Sequence, residues 1–195
     1  MDVVFDVMDT LLRDPYREAY EAATGLTFEE FASTQTEEAY RSLERSEIDE
    51  VTYWLKLRDA GITADEGRFH ATRRAGYAWL PGMRQLFHQT TARHRVILSS
   101  NYPATWIADV RARYFHDVPV EMCGSCELGV CKPARGFFDR LGDRFALDPA
   151  MTVLVDDSAR NVRGAVAAGW HGVRHRDAPS TEEALEALGS RLGSG

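Results

Sequence analysis

The stretch Val3-Val4-Phe5-Asp6-Val7-Met8-Asp9-Thr10 opens with an apolar, β-branched run that stops at an aspartate, and Leu11 and Leu12 follow. Such a run reads as a buried strand. A carboxylate at the C-terminal end of a buried strand sits where α/β sheets gather ligands and reactive groups. Aspartate can attack phosphorus or carbon and carry a covalent intermediate, so Asp6 is a candidate nucleophile. Strands also end in aspartate for turn chemistry alone, and the later segments decide between the two.

Arg95-Val96-Ile97-Leu98-Ser99-Ser100-Asn101 is a second apolar strand, ending in hydroxyls and an amide. Gly129-Val130-Cys131-Lys132-Pro133 supplies a lysine ahead of a proline that suits a helix start. Thr152-Val153-Leu154-Val155-Asp156-Asp157-Ser158 is a third strand, ending in adjacent carboxylates. In this order the segments resemble the motifs of the haloacid dehalogenase superfamily: nucleophilic Asp, Ser/Thr, Lys and an acidic pair. The resemblance runs from the first strand to about Trp170. It implies an α/β fold, a Rossmann-like parallel sheet with helices on both faces, plus a small all-α cap inserted after the first strand.

The pattern of the chain agrees with that expectation. Between Thr10 and Leu80 no strand signal occurs. Tyr16 to Thr24 reads as a helix stopped by Gly25, and Phe28 to Arg45 as a longer one with Thr27 as N-cap and Glu30 as its capping-box partner. Asp49 to Ala60 is amphipathic, with Val51, Trp54, Leu55 and Leu57 near one face, and Ala64 to Tyr77 is a further helix. After Leu80-Pro81-Gly82, strands alternate with helices: strands at 95–99, 118–122, 152–155 and 172–174, helices at 104–114, 134–145, 159–168 and 181–192. Alternation of this kind builds a parallel sheet covered on both faces. The expected division is a catalytic core of residues 1–14 and 80–195 and a helical cap of residues 15–79, with a flexible Gly193-Ser194-Gly195 tail.

Phosphoryl transfer asks mainly for positioning and charge neutralisation. Asp6 would attack in line and form an aspartyl-phosphate. Magnesium prefers hard oxygen ligands, which makes Asp6 and Asp157 its candidate ligands, with Asp156 binding directly or through water. Two acids before a helix can also serve as caps. Ser100 can donate its hydroxyl to phosphate, Asn101 can orient substrate or nucleophile, and Lys132 can neutralise Asp6 and a phosphate oxygen together. Thr10 can bond Asp6 or phosphate, or cap the turn. The helix after Ser158 carries Asn161, Gly164, Ala165 and Ala167, small residues that let it lie close to the sheet. Arg13, Arg17, Arg41, Tyr53 and Arg73 could reach a substrate, with none favoured, while Tyr40, Trp54 and Phe69 read as core of the helical block.

One position departs from the superfamily. The resemblance implies, for most of its phosphatases, a second aspartate two residues after the nucleophile; it protonates the leaving group and then activates water, worth ~10²–10⁴-fold. Here Met8 occupies that place, and a thioether transfers no proton. Family members give the metal a backbone carbonyl from this position, which Met8 retains. Asp9 lies one residue further along and on an extended chain faces away from Asp6; its plain role is a turn or cap acceptor. Three readings follow: a Mg2+-dependent phosphatase of a small phosphorylated metabolite, a 2-haloacid dehalogenase, and a catalytically silent phosphatase-like binding protein. The dehalogenases also lack the second aspartate, but they work without metal and carry a serine-asparagine pattern in place of Asp156 and Asp157. A phosphonatase would need a cap lysine, for which Lys56 is the candidate.

Composition narrows the partners. At 195 residues and 44% hydrophobic content the chain can bury a core. Its net charge of -7 argues against nucleic acid as partner. With neither a basic leader nor ~20 uninterrupted apolar residues, the expectation is a cytoplasmic monomer or homodimer with no membrane partner. Cys123, Cys126 and Cys131 have a metal-like spacing that His116 could complete, yet they read as ordinary thiols in a loop.

Overall fold

The computed structural model describes residues 1–34 and 36–192; the tail expected to be flexible lies outside them. The opening stretch forms β1 (Asp2–Asp6), whose Val3, Val4 and Phe5 are fully buried. On one side it pairs in parallel with β2 (Arg95–Ser100), on the other with β4 (Thr152–Asp156). The outer strands are β3 (Glu121–Gly124) and β5 (His171–Arg174), giving the order β3-β2-β1-β4-β5, all parallel. Because the strands run together, Asp6, Ser100 and Asp156 end on one edge. The connections reverse direction between β1 and β4, the crevice where open α/β sheets bind ligands.

Side chains alternate across this sheet. Val3, Phe5, Val96, Leu98, Val153 and Val155 pack with α6 (Met83–Thr91), α7 (Ala104–Tyr114) and α11 (Ala178–Leu192). Val4, Ile97 and Leu154 point the other way, against α9 (Arg135–Phe145) and α10 (Ala159–Ala167). Helices therefore cover both faces, as the alternation predicts. The helix α6 is absent from the sequence reading, although Met83, Leu86, Phe87 and Thr90 carry a helical spacing and are all buried.

Between β1 and α6 lie α1 (Tyr16–Thr24), α2 (Phe28–Ala32), α3 (Glu37–Glu44), α4 (Glu50–Asp59) and α5 (Glu66–Gly76). Gly25 ends α1 at φ 73°, a left-handed conformation open to glycine at no steric cost. The Thr27–Glu30 capping box is present. The long helix expected from Phe28 to Arg45 is instead the pair α2 and α3. Ser33 and Thr34 donate their hydroxyls to the carbonyls of Glu30 and Phe31, offering the backbone an alternative to the helical ladder. On α4 the buried face is Tyr53, Trp54 and Leu57, whereas Val51 and Leu55 are 69% and 44% exposed. Packing of Tyr20 against Phe69 and of Phe69 against Trp54 sets that face, with ring centroids 4.7 and 5.1 Å apart. The expected strand at 118–122 begins instead at Glu121. Pro119 has no N–H to give a ladder, and Val120 N–H turns back onto Val118 O at 2.8 Å.

The helical block is tied to α7 by charged contacts. Arg73, fully buried, donates to Asp109 at 2.6 Å and to the Tyr77 hydroxyl at 2.7 Å. Glu50 accepts from Trp106 Nε1 at 2.9 Å and lies 2.9 Å from His70. Arg73 and Tyr53 are spent inside the protein and cannot reach a substrate.

Candidate active site

Asp6 closes β1 and Asp156 closes β4, and Lys132 stands between them. Its ammonium lies 2.6 Å from Asp6 Oδ1 and 2.7 Å from Asp156 Oδ2, with all three side chains buried. Asn101 fixes the lysine's main chain: its Nδ2 donates to Lys132 O and its Oδ1 accepts from Lys132 N, both at 2.8 Å. Asn101 lines the cavity, but its amide is spent on holding the lysine. Close packing helps from the other side. A Cβ on Gly164 would come within 2.5 Å of Pro133 O, so α10 can approach the lysine's loop only with glycine there.

Thr10 bridges the two strand ends. Its hydroxyl donates to Asp6 Oδ2 at 3.2 Å and accepts from Asp157 N at 3.1 Å. Asp156 also accepts from Ser158 N at 2.9 Å and from Asn161 Nδ2 at 3.0 Å. Ser158 caps α10, accepting from Asn161 N at 3.4 Å. The carboxylates of Asp6, Asp156 and Asp157 have ligating oxygens within 4.8 Å of one another. Three carboxylates against one ammonium leave net negative charge, a donor set suited to a hard divalent cation. Asp156 and then Asp6 hold the Lys132 ammonium in its charged form, outweighing the burial that opposes it. Burial pushes the Asp6 carboxyl up against the pull of Lys132, and Asp156 adds to that push.

Above the cluster is a cavity of about 300 Å³ lined by Asp6, Met8, Ser100, Lys132 and Asp157. A groove of about 590 Å³ adjoins it past Tyr40 and Glu44, with Arg41, Arg45 and Arg160 along it. Asp9 sits at φ 55°, is exposed, and accepts from Asp14 N at 3.0 Å, the turn role read for it. Tyr40, read as core of the helical block, also lines the cavity. Cys123 is buried in β3, Cys126 lies on α8 (Ser125–Leu128), and Cys131 Sγ is 3.9 Å from Glu44 Oε2.

Sequence reasoning missed Asp14, Tyr16, Glu44 and Tyr102, which also line the cavity. Burial, and after it Asp9, raises Asp14 to about 7. Burial raises Glu44 to about 8 against a hydrogen bond from Tyr40. Both values lie above those of exposed carboxyls, so the folded state keeps protons that the unfolded chain releases. Stability therefore falls as pH rises towards 7 and 8. The slope is at most ~1.4 kcal/mol per pH unit for each group, and less because both are partly exposed. The melting temperature of the metal-free protein is expected to drop from pH 5 to pH 8, less steeply in Glu44→Gln and Asp14→Asn. Unchanged slopes in both variants would remove these two groups as the cause.

Known proteins resemble the chain in sequence and in fold. Residues 3–169 match the haloacid dehalogenase-like hydrolase family. The chain belongs to that family. This haloacid dehalogenase-like hydrolase is 26% identical over 189 residues to a chloroplastic flavin mononucleotide hydrolase of Arabidopsis thaliana, covering 96% of the chain and 77% of that protein. Its fold matches a family enzyme of Bacteroides thetaiotaomicron solved with magnesium and inorganic phosphate, at a TM-score of 0.75 and 17% identity, over 90% of this chain and 93% of that one. It also matches the L-2-haloacid dehalogenase of Xanthobacter autotrophicus with chloropropionic acid covalently bound, at a TM-score of 0.65 and 18% identity, over 89% and 76% of the two chains. Among the described residues of the hydrolase, no helix is long and apolar enough to cross a membrane.

Proposed function

We propose that this hydrolase is a Mg2+-dependent phosphatase that acts on a small phosphorylated metabolite through an aspartyl-phosphate on Asp6, with residues 15–79 as a cap over the site. The observation that carries the reading is the excess of carboxylate over ammonium where β1 and β4 end. Against the three carboxylates of Asp6, Asp156 and Asp157 stands one ammonium, that of Lys132, bonded to the first two. A dehalogenase that works without metal has no use for that excess. The flavin mononucleotide hydrolase of Arabidopsis, a relative by sequence, supports a phosphate ester as substrate.

Asp6, Asp157 and the main-chain carbonyl of Met8 would hold magnesium, with Asp156 directly or through water. When bound, the ion would neutralise the phosphate and the charge that develops on it. Asp6 attacks phosphorus, the bond to the leaving oxygen breaks, and an acyl phosphate forms. Thr10 and Lys132 hold the two Asp6 oxygens in one orientation, which converts binding into alignment. Lys132 and the Ser100 hydroxyl take phosphate oxygens, and Asn101 keeps the lysine in reach.

The test measures phosphate release from flavin mononucleotide and p-nitrophenyl phosphate, and halide release from 2-chloropropionate, with magnesium and with chelator. Magnesium-dependent phosphate release is expected. Chelator-resistant halide release would make the protein a dehalogenase, and silence on every substrate would make it a binding protein. In calorimetry with magnesium alone, Asp157→Asn is expected to weaken binding by at least about 10-fold, since even outer partners of a metal ligand are worth that much. Unchanged affinity would put the ion elsewhere.

A further inference from the structure

The thioether of Met8 leaves the phosphatase reading without a proton donor at the usual place. An alkoxide is a poor leaving group, so the proton must come from another group that lines the cavity of Asp6. Asp9 is exposed to solvent on the turn, whereas Asp14 is half-buried. Asp157 belongs to the metal set. The phenols of Tyr16, Tyr40 and Tyr102 are pushed well above their ordinary range by burial, which makes them weak acids. Two carboxyls remain, Asp14 and Glu44.

Their surroundings differ. Glu44 lines both the cavity and the outer groove, and is engaged with Tyr40 and Cys131. Asp14 lines the cavity of Asp6 and not the groove. It lies on the loop that leaves β1, and one of its oxygens is anchored: Oδ1 accepts from Tyr16 N at 3.0 Å and from the Tyr102 hydroxyl at 3.2 Å. The Tyr102 hydroxyl is itself bonded to that of Tyr77 at 2.9 Å, and Tyr77 is held by the buried Arg73. The anchored oxygen fixes the carboxyl and leaves Oδ2 to carry a proton.

We propose that Asp14 is the general acid and base that Met8 cannot be, an inference that rests on the phosphatase reading. As an Asp6 oxygen bonds to phosphorus and the P–O bond to the leaving group breaks, Asp14 gives its proton to the departing oxygen. The Asp14 carboxylate then takes a proton from a water molecule as that water bonds to phosphorus. The bond from phosphorus to Asp6 breaks, returning Asp6 as carboxylate, Asp14 as acid, and phosphate. A proton affinity near neutrality suits both directions of transfer, and burial and Asp9 raise Asp14 to about 7. The charged and titratable groups around it are Asp9 on its own turn, Tyr16 and Glu18 of α1, Tyr77 after α5, Tyr102 after β2 and Glu44 of α3.

The test compares wild type, Asp14→Asn and Glu44→Gln on esters whose leaving groups differ in their need for a proton. Flavin mononucleotide and glycerol phosphate have alkoxide leaving groups, whereas p-nitrophenolate departs unaided. For Asp14→Asn, kcat/KM, which reports transfer to Asp6 and release of the first leaving group, should fall ~10²–10⁴-fold on the alkyl esters and by less than about tenfold on p-nitrophenyl phosphate. Hydrolysis of the common aspartyl-phosphate should slow for every ester. Adding Met8→Asp to Asp14→Asn should restore part of the alkyl-ester activity, and thermal melting would establish that the variants fold. Equal losses of kcat/KM on all esters would overturn the proposal and reduce Asp14 to a positioning group. A selective loss confined to Glu44→Gln would overturn it in favour of Glu44. A wild type active on p-nitrophenyl phosphate alone would also overturn it, because a working acid removes the need for an activated ester. Inactivity of wild type on every ester is a separate outcome: it sinks the phosphatase reading, and this proposal with it.

Discussion

Asp6→Asn is expected to cut phosphate release by at least about 10³-fold while leaving the fold intact, since removal of a covalent nucleophile costs more than loss of any single positioning contact. The carboxamide is isosteric with the carboxylate, keeps an oxygen for the Lys132 ammonium and turns its NH2 to the Thr10 hydroxyl, which can accept as well as donate. Lys132 keeps Asp156 as a counter-ion at 2.7 Å. The substitution also removes one negative charge from a cluster with three carboxylates and one ammonium. The metal-free variant should therefore melt no lower than wild type, which separates lost chemistry from lost structure. Phosphate release in single-turnover conditions is the measurement. Activity near wild type would mean that Asp6 carries no covalent intermediate.

Lys132→Met is expected to act on stability as much as on turnover. It strands Asp6 and Asp156 in the interior without their cation, and breaking a buried ion pair from one side costs ~3–5 kcal/mol. For a chain of this size that is a melting-temperature loss of roughly 6–20 °C. Neutralising a stranded carboxylate should return part of it. Lys132→Met combined with Asp6→Asn is expected to melt higher than Lys132→Met alone, a coupling that a double-mutant cycle isolates. The loss should also shrink towards pH 5, where the stranded carboxyls can take up protons. A Lys132→Met protein as stable as wild type would mean that the ammonium is not the counter-charge the geometry implies.

The residues that could be read from sequence are those fixed by strand ends. Asp6, Ser100, Asp156 and Asp157 each terminate or follow an apolar run, and a parallel sheet brings all such ends to one edge. Lys132 was legible only through its place in an ordered set of motifs. Asp14 and Tyr102 lie on loops, where no periodicity marks which side chain turns inward, while Tyr16 opens α1 and Glu44 lies at the end of a short helix. Their convergence depends on how the helical block packs on the sheet, a property of tertiary contacts such as Arg73 with Asp109. The failed long helix has a similar lesson. Its composition favours helix, but Ser33 and Thr34 capture carbonyls locally, and a break of a few residues is invisible to a periodicity spread over eighteen.

The reciprocal pair of bonds between Asn101 and Lys132 makes one side-chain amide imitate a peptide group. It offers one donor and one acceptor to a single residue, as a neighbouring strand would, just past the point where β2 ends. The lysine is thereby stitched to the sheet like the rung of a ladder, although its own segment belongs to no strand. Its reach towards Asp6 is set from the end of the central sheet, and not by the course of its own loop alone.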